Sequence, residues 1–191
     1  MRHMNALGIV AGPRKGQVTD NLVGSALKAL SDRGAAAEKI YLVDLSIKPC
    51  MACFACQRTG QCVVKDDFQS VVDKVRRADV LVFGSPTYFS NVTSSAKVFI
   101  DRGYSMFKEN PFGLTYLYTN PKKVILITSC GAPFPFSHLL GISTGCMRAM
   151  KVFFKYTRAG IKTLTAASVK DFDPKTHAKL LRRAYDLGRT I

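Results

Sequence analysis

Five short, mostly apolar runs punctuate this chain, and between them lie segments whose apolar residues recur at helical spacing. The runs are Ala6 to Ala11 (ALGIVA), Glu38 to Val43 (EKIYLV), Asp79 to Gly84 (DVLVFG), Lys122 to Ser129 (KKVILITS) and Ile161 to Val169. Runs this apolar do not alternate inside and outside, so they read as strands buried on both faces, the mark of a parallel sheet. Parallel neighbours need a crossover, and helices supply it. Thr19 to Leu30 reads as the first helix, with Thr19 as N-cap and a stripe through Leu22, Val23, Ala26, Leu27 and Leu30. Asp67 to Ala78, Thr93 to Phe107, His138 to Tyr156 and Pro174 to Leu187 complete the alternation.

This pattern predicts the α/β class, and 191 residues leave room for one domain with a sizeable core. The expectation is a single flavodoxin-like domain over residues 6–191. It has a doubly wound, five-stranded parallel sheet of order 2-1-3-4-5, helices on both faces, and a cysteine-rich loop at 46–66 after strand 2. Loops that follow the strands of such a sheet emerge on one edge, where ligands bind. Here they are residues 12–18, 46–66, 85–92 and 130–137, which are expected to share one rim.

No apolar run approaches the ~18 to 20 residues of a membrane helix. The start, MRHMNALGIV, passes from basic residues straight into a strand without an apolar signal core. The chain is therefore read as cytoplasmic with no membrane partner, and Met1 to Asn5 are set aside as partly vector-derived. Lys and Arg number 28 against 13 Asp and Glu, a net charge of +15 that attracts anions such as phosphate cofactors or acidic proteins. The basic residues are spread along the chain, which argues against nucleic acid.

Three of the loops carry unusual residues. Gly12-Pro13-Arg14-Lys15-Gly16-Gln17-Val18-Thr19 leads from strand to helix. There, backbone N–H groups and the helix dipole suit a phosphate, Gly12 and Gly16 allow close approach, and Arg14 offers a forked donor. Thr19 can cap the helix or donate; an ordinary basic turn fits the same residues. The loop matches neither the dinucleotide G-x-G-x-x-G nor the nucleotide-triphosphatase G-x-x-x-x-G-K-[ST] pattern. In the second loop, Cys50, Cys53, Cys56 and Cys62 stand at x2, x2 and x5 spacing. Four crowded cysteines exceed the needs of a thiol pair, and a structural zinc site separates its ligand pairs by a longer stretch. The spacing favours a soft-metal site and is similar to the start of the bacterial ferredoxin run. The third loop, with Pro86, Thr87, Tyr88, Phe89, Asn91 and Val92, combines a fixed turn, aromatics to flank a flat ring and polar groups for its edges. A packed loop with Phe89 in the core fits equally. Gly131, after the fourth strand, is small enough to admit a ligand edge, whereas Cys130 and Cys146 read as core.

Taken in order, GPRKGQVT, DLSIKPCMACFACQRTGQCVVKDD and FGSPTYFSNVTSSAKVFIDR resemble the iron–sulfur flavoproteins, within the NADPH-dependent FMN reductase branch of the flavodoxin-like superfamily. The likeness covers about Ala6 to Arg102. It implies a [4Fe–4S] cluster on Cys50, Cys53, Cys56 and Cys62. It implies FMN with its phosphate at Gly12, Arg14, Gly16 and Thr19, beside Pro13, and its ring along Pro86 to Val92 near Gly131. Self-association as a homodimer or homotetramer and an acidic ferredoxin as partner follow from the same resemblance; a basic surface would speed that encounter. The chain departs from the family at Gly12, where Ser is usual, and at Thr93, where broader FMN reductases often have Pro. It departs again at SCGAPFPF after strand four and in an aromatic-rich stretch between Tyr104 and Tyr118, containing Phe107, Phe112 and Tyr116. That stretch suits a lid, a subunit contact or plain core packing.

The expected function is an oxidoreductase that passes electrons between cluster and FMN, linking a ferredoxin-type or NAD(P)H donor to a small-molecule acceptor. No protein acid or base is nominated, because His3, His138 and His177 are scattered. The alternatives are a cluster-free NAD(P)H-dependent FMN or quinone reductase, and a zinc-binding basic regulator without enzymatic activity.

Overall fold

The computed structural model describes residues 4–191. Of the segment set aside at the start, Met1 to His3 lie outside the described residues, while Asn5 opens the first strand. In chain order the elements begin with β1 (Asn5–Val10), α1 (Val18–Ser31), β2 (Ala36–Tyr41), α2 (Ala55–Thr59), α3 (Phe68–Arg77), β3 (Val80–Pro86) and α4 (Ser94–Arg102). A hairpin of β4 (Phe107–Asn110) and β5 (Gly113–Tyr116) follows, then β6 (Lys123–Ser129), α5 (Phe136–Leu139), α6 (Ile142–Lys155), β7 (Gly160–Ala166) and α7 (Ala178–Arg189).

The main sheet has the order β2-β1-β3-β6-β7 and every neighbour pair in it is parallel. Counting only its own strands, this is the expected 2-1-3-4-5 flavodoxin-like arrangement. Register places Val10 beside Tyr41 and Gly84, and Ser129 beside Ala166, so the strands end together at one edge. No helix among the described residues is long and apolar enough to cross a membrane.

Two cores sandwich the sheet. Leu22, Val23, Leu27 and Leu30 of α1 pack with Ala184 of α7 on one face. On the other, Phe68 of α3, Phe99 of α4 and Phe154 of α6 gather on Phe83 of β3. Phe83 lies 5.5 Å from Phe99 and 5.4 Å from Phe154, centroid to centroid, within the range of favourable aromatic pairs. Gly84 seats α1 on the sheet: a Cβ there would stand 2.5 Å from Val23 Cγ2 and 2.9 Å from Thr19 Cγ2. That close approach brings the first turn of α1 down to the strand ends.

Several expected boundaries are corrected. Thr19 is not the N-cap of α1; the helix begins one residue earlier, with Gln17 at the cap. Instead the carboxylate of Asp20 reaches back and accepts from Gly16 N at 2.7 Å. The helix expected over Thr93 to Phe107 stops at Arg102, where a 3-10 turn leads into the β4–β5 hairpin. Thr93 does cap its start, accepting from Ala96 N at 3.3 Å. The helix expected over His138 to Tyr156 is broken at Gly141, whose φ of +74° separates α5 from α6. In the aromatic-rich stretch, Phe107 is buried against Phe153 and Tyr116, whereas Phe112 at the hairpin tip is fully exposed.

Candidate functional site

At the edge where the strands end, the loops after β1, β3, β6 and β7 enclose a cavity of about 320 Å³. Gly12, Pro13, Arg14 and Thr19 line it from the first loop and helix, Pro86, Thr87 and Tyr88 from the third loop, and Gly131 from beyond β6. Gly16, Phe89, Asn91 and Val92 do not. Ser129, Lys170 and Asp171 also line it, and sequence reasoning does not single them out. The signal available for them was position alone, at or just past the ends of β6 and β7.

The floor is hydroxylic. Thr19 Oγ1 and Ser129 Oγ share a buried hydrogen bond of 2.7 Å, and Thr87 N donates to the Ser129 carbonyl at 2.8 Å. No side chain caps α1, so the N–H groups of its first turn, beside Gln17, Val18 and Thr19, are available to an anion in the cavity. Asp20 would oppose that anion, but it is buried and its Oδ1 accepts from Lys39 Nζ at 2.7 Å. Arg14 spans the mouth: Nη1 donates to Asp171 Oδ1 and Nη2 to the Lys170 carbonyl, both at 2.9 Å. The pair is exposed, worth ~0–1 kcal/mol, and a phosphate could displace it.

Tyr88 and Asn91 exchange backbone N–H···O bonds of 2.9 Å, closing a tight turn. Phe89 and Ser90 occupy that turn with φ of 47° and 59°. Asn91 Oδ1 accepts from Val92 N at 2.8 Å, and Val92 is buried. The reading of Phe89 as core is therefore wrong, since it stands wholly in solvent. Gly145 of α6 holds this turn from below: a Cβ there would lie 2.0 Å from the Ser90 carbonyl oxygen. Cys130 and Cys146 are buried, and burial pushes both thiols up, away from thiolate chemistry.

The cysteine loop opens elsewhere. Cys50, Cys53, Cys56 and Cys62 all line a second cavity, of about 610 Å³, walled by Ile100, Phe107, Val152 and Phe153. The two cavities share no lining residue, which corrects the expectation of one common rim. The reason is the hairpin and α4, which draw the loop to the α4–α6 side of the sheet. Gln57 Nε2 donates to the Phe107 carbonyl at 3.0 Å and Gln57 Oε1 accepts from Glu109 N at 2.9 Å. All four thiols are free. Among the described residues, no three His, Cys, Asp or Glu side chains are gathered closely enough to hold a metal ion. The backbone between the first three cysteines is unusual: Ala52 and Phe54, on either side of Cys53, have φ of 49° and 53°. Such left-handed residues cost ~1–3 kcal/mol each and persist where the surroundings dictate them. Burial pushes the Cys56 thiol up.

Beneath this loop lies a buried ion pair. Arg102 Nη1 donates to Asp66 Oδ2 at 2.7 Å and Nη2 to Asp66 Oδ1 at 3.0 Å. Burial alone would raise the Asp66 carboxyl, but the Arg102 fork and the N–H groups of Lys48 and Phe68 outweigh it and hold the group below the usual range.

The profile of the NADPH-dependent FMN reductase family matches residues 4–123. The chain belongs to that family. An iron–sulfur flavoprotein of Methanosarcina thermophila is 32% identical over 107 residues, 56% of each chain. One of Methanocaldococcus jannaschii is 36% identical over 99 residues, 52% of this chain and 51% of that one. The resemblance to iron–sulfur flavoproteins is thus borne out, although the match spans only about half the length of these relatives. Among solved structures, the NAD(P)H:quinone oxidoreductase of Methanothermobacter marburgensis superposes with a TM-score of 0.80 over 98% of both chains, at 16% identity. At that identity the likeness speaks for the fold, and for this FMN reductase family member the fold is flavodoxin-like.

Proposed function

We propose that this FMN reductase family member is an FMN-containing iron–sulfur oxidoreductase built on one domain over residues 6–191. It links an NAD(P)H or ferredoxin-type donor to a small-molecule acceptor. The observation that carries the reading is that all four cysteines of the 46–66 loop line one cavity as free thiols, in a chain that also has a hydroxyl-floored cradle at the strand ends.

FMN, when bound, supplies one- or two-electron chemistry, and a [4Fe–4S] cluster supplies one-electron chemistry. The protein's residues bind and orient. The uncapped first turn of α1 and Arg14 hold the phosphate, with Gly12 and Gly16 keeping side chains out of the loop and Thr19 forming the floor with Ser129. Pro86, Thr87, Tyr88 and Gly131 line the space where the ring would bind, and Phe89 and Asn91 belong to the turn beside it. Cys50, Cys53, Cys56 and Cys62 are the thiolate set, and the apolar walls around them limit water. The fit is supported by the donor set and by a buried guanidinium nitrogen of Arg102 that has no partner.

Self-association belongs to the same proposal. Phe136, Leu139 and Leu140 are exposed together on α5 and its end, an apolar face that a second copy would cover. The net charge of +15 favours an acidic ferredoxin as partner over a neutral one.

The test is an absorption spectrum with iron, acid-labile sulfide, zinc and flavin quantitation on protein purified without oxygen. About four irons, four sulfides and one FMN per chain are expected. FMN without iron leaves a cluster-free FMN or quinone reductase, and zinc without FMN leaves the regulator; either overturns the proposal.

A further inference from the structure

Arg102 ends α4 with its side chain folded entirely inside the protein, 1% exposed. A guanidinium has five N–H donors. Four are occupied: besides the two to Asp66, Nη1 donates to the Lys48 carbonyl at 2.8 Å and Nη2 to the Val64 carbonyl at 3.1 Å. Lys48 and Val64 are the residues two before Cys50 and two after Cys62. One side chain therefore clasps both ends of the four-cysteine loop. Asp66 tightens the clasp, since its Oδ2 also accepts from Lys48 N at 2.9 Å.

The fifth donor, Nε–H, is buried and has no acceptor. Leaving such a donor unpaired in the interior is costly, more so on a charged group, so an acceptor is wanted there. Arg102 lines the same cavity as the four cysteines, and the Cys62 side chain adds to the stabilisation of its charge. The cavity's other walls offer mainly carbon. Sulfur is the acceptor chemistry close to hand.

We infer that Arg102 is the positioning residue of the cysteine loop and that its Nε–H donates to the Cys62 sulfur when the loop carries its cluster. This rests on the reading of the four cysteines as cluster ligands. An N–H donor at a ligand sulfur, on a buried cation, stabilises the added electron and so raises the reduction potential. The fork sets the loop's span; the fifth donor sets the potential. Lysine in this place keeps the charge and loses both devices.

The experiment uses the full chain, purified and loaded without oxygen, as wild type and as Arg102→Lys, from cells fed 15N-arginine. Iron, sulfide and FMN per chain are measured first. Wild type without iron overturns the cluster reading beneath the inference. In iron-loaded wild type, pulsed EPR of the reduced protein is expected to show a weak 15N coupling that Arg102→Lys lacks. The variant is expected to lose iron faster and to need a lower potential for reduction, by about tenfold in the oxidised-to-reduced ratio, ~59 mV for one electron. Its FMN content is expected to be unchanged. Iron-loaded wild type with no arginine 15N coupling overturns the inference whether or not the variant folds. Equal potentials in the two proteins do the same.

Discussion

Gln57, the residue after the third cysteine, donates from Nε2 to the carbonyl of Phe107 at 3.0 Å and accepts at Oε1 from the N–H of Glu109 at 2.9 Å. The side-chain amide behaves as one more peptide on the edge of β4. It couples the cysteine loop to a hairpin that stands apart from the main sheet. Gln57→Ala removes both bonds, each worth about 0.5–1.5 kcal/mol net. The cysteine loop should then release iron faster during chelator challenge, while FMN content stays at the wild-type level. Unchanged iron retention would show that the hairpin does not brace the loop.

The Thr19–Ser129 bond predicts a separate effect on the cradle. Ser129→Ala leaves the buried Thr19 hydroxyl without its partner, a cost of ~1–3 kcal/mol. FMN affinity, read by fluorescence quenching on titration, should fall by about tenfold, the equivalent of 1.4 kcal/mol. The iron content should not move, because the two cavities share no residue.

Gly145 answers to a steric argument. Any side chain there collides with the Ser90 carbonyl, 2.0 Å from the position of a Cβ, and neither backbone can yield cheaply. Gly145→Ala should destabilise the protein by ~1–3 kcal/mol, the usual range for overpacking. It should also displace the turn around Phe89 and weaken FMN binding. A melting temperature equal to wild type would contradict the geometry.

The Asp66–Arg102 pair makes stability depend on pH. Asp66 has its carboxyl held below the usual value in the folded state, so its contribution is fully present above the unfolded value. As pH falls below about 3.9 and through the depressed folded value, protonation removes it. Urea denaturation between pH 6 and pH 3, with the chain free of iron, should therefore show a loss of stability that Asp66→Asn lacks. That variant should already be destabilised at neutral pH by ~3–5 kcal/mol, because it strands a buried guanidinium. Parallel pH profiles for the two proteins would remove Asp66 from the acid limb.

The centre of the sheet was legible in the sequence because β1, β3 and β6 are buried on both faces, and such burial leaves an unbroken apolar run such as VLVFG or VILIT. The edge strands β2 and β7 are largely exposed or half-buried, against the expectation of burial on both faces. The cysteine set was legible for a different reason: four residues within one short loop are neighbours by covalent reach, whatever the rest of the chain does. Helix ends were read less well. The N-cap expected of Thr19 fell to Gln17 without a side-chain bond, and Asp20 was drawn instead to Lys39 and Tyr41 of β2, 19 and 21 residues away.

What only the tertiary structure decided are the relations between distant segments. Lys170 and Asp171 meet Arg14 across 156 and 157 residues, and no local pattern announces that contact. Phe89, Asn91 and Val92 carry the right chemistry for the cradle, yet the backbone bonds between Tyr88 and Asn91 turn them away from the cavity. The hairpin at 107–116 and the clasp of Arg102 drew the cysteine loop to its own side of the sheet. Periodicity reports which face of an element is buried, and spacing reports which residues are tethered close together. Side-chain direction in a loop, and the partner a buried charge selects, depend on packing among parts of the chain that meet only once it has folded.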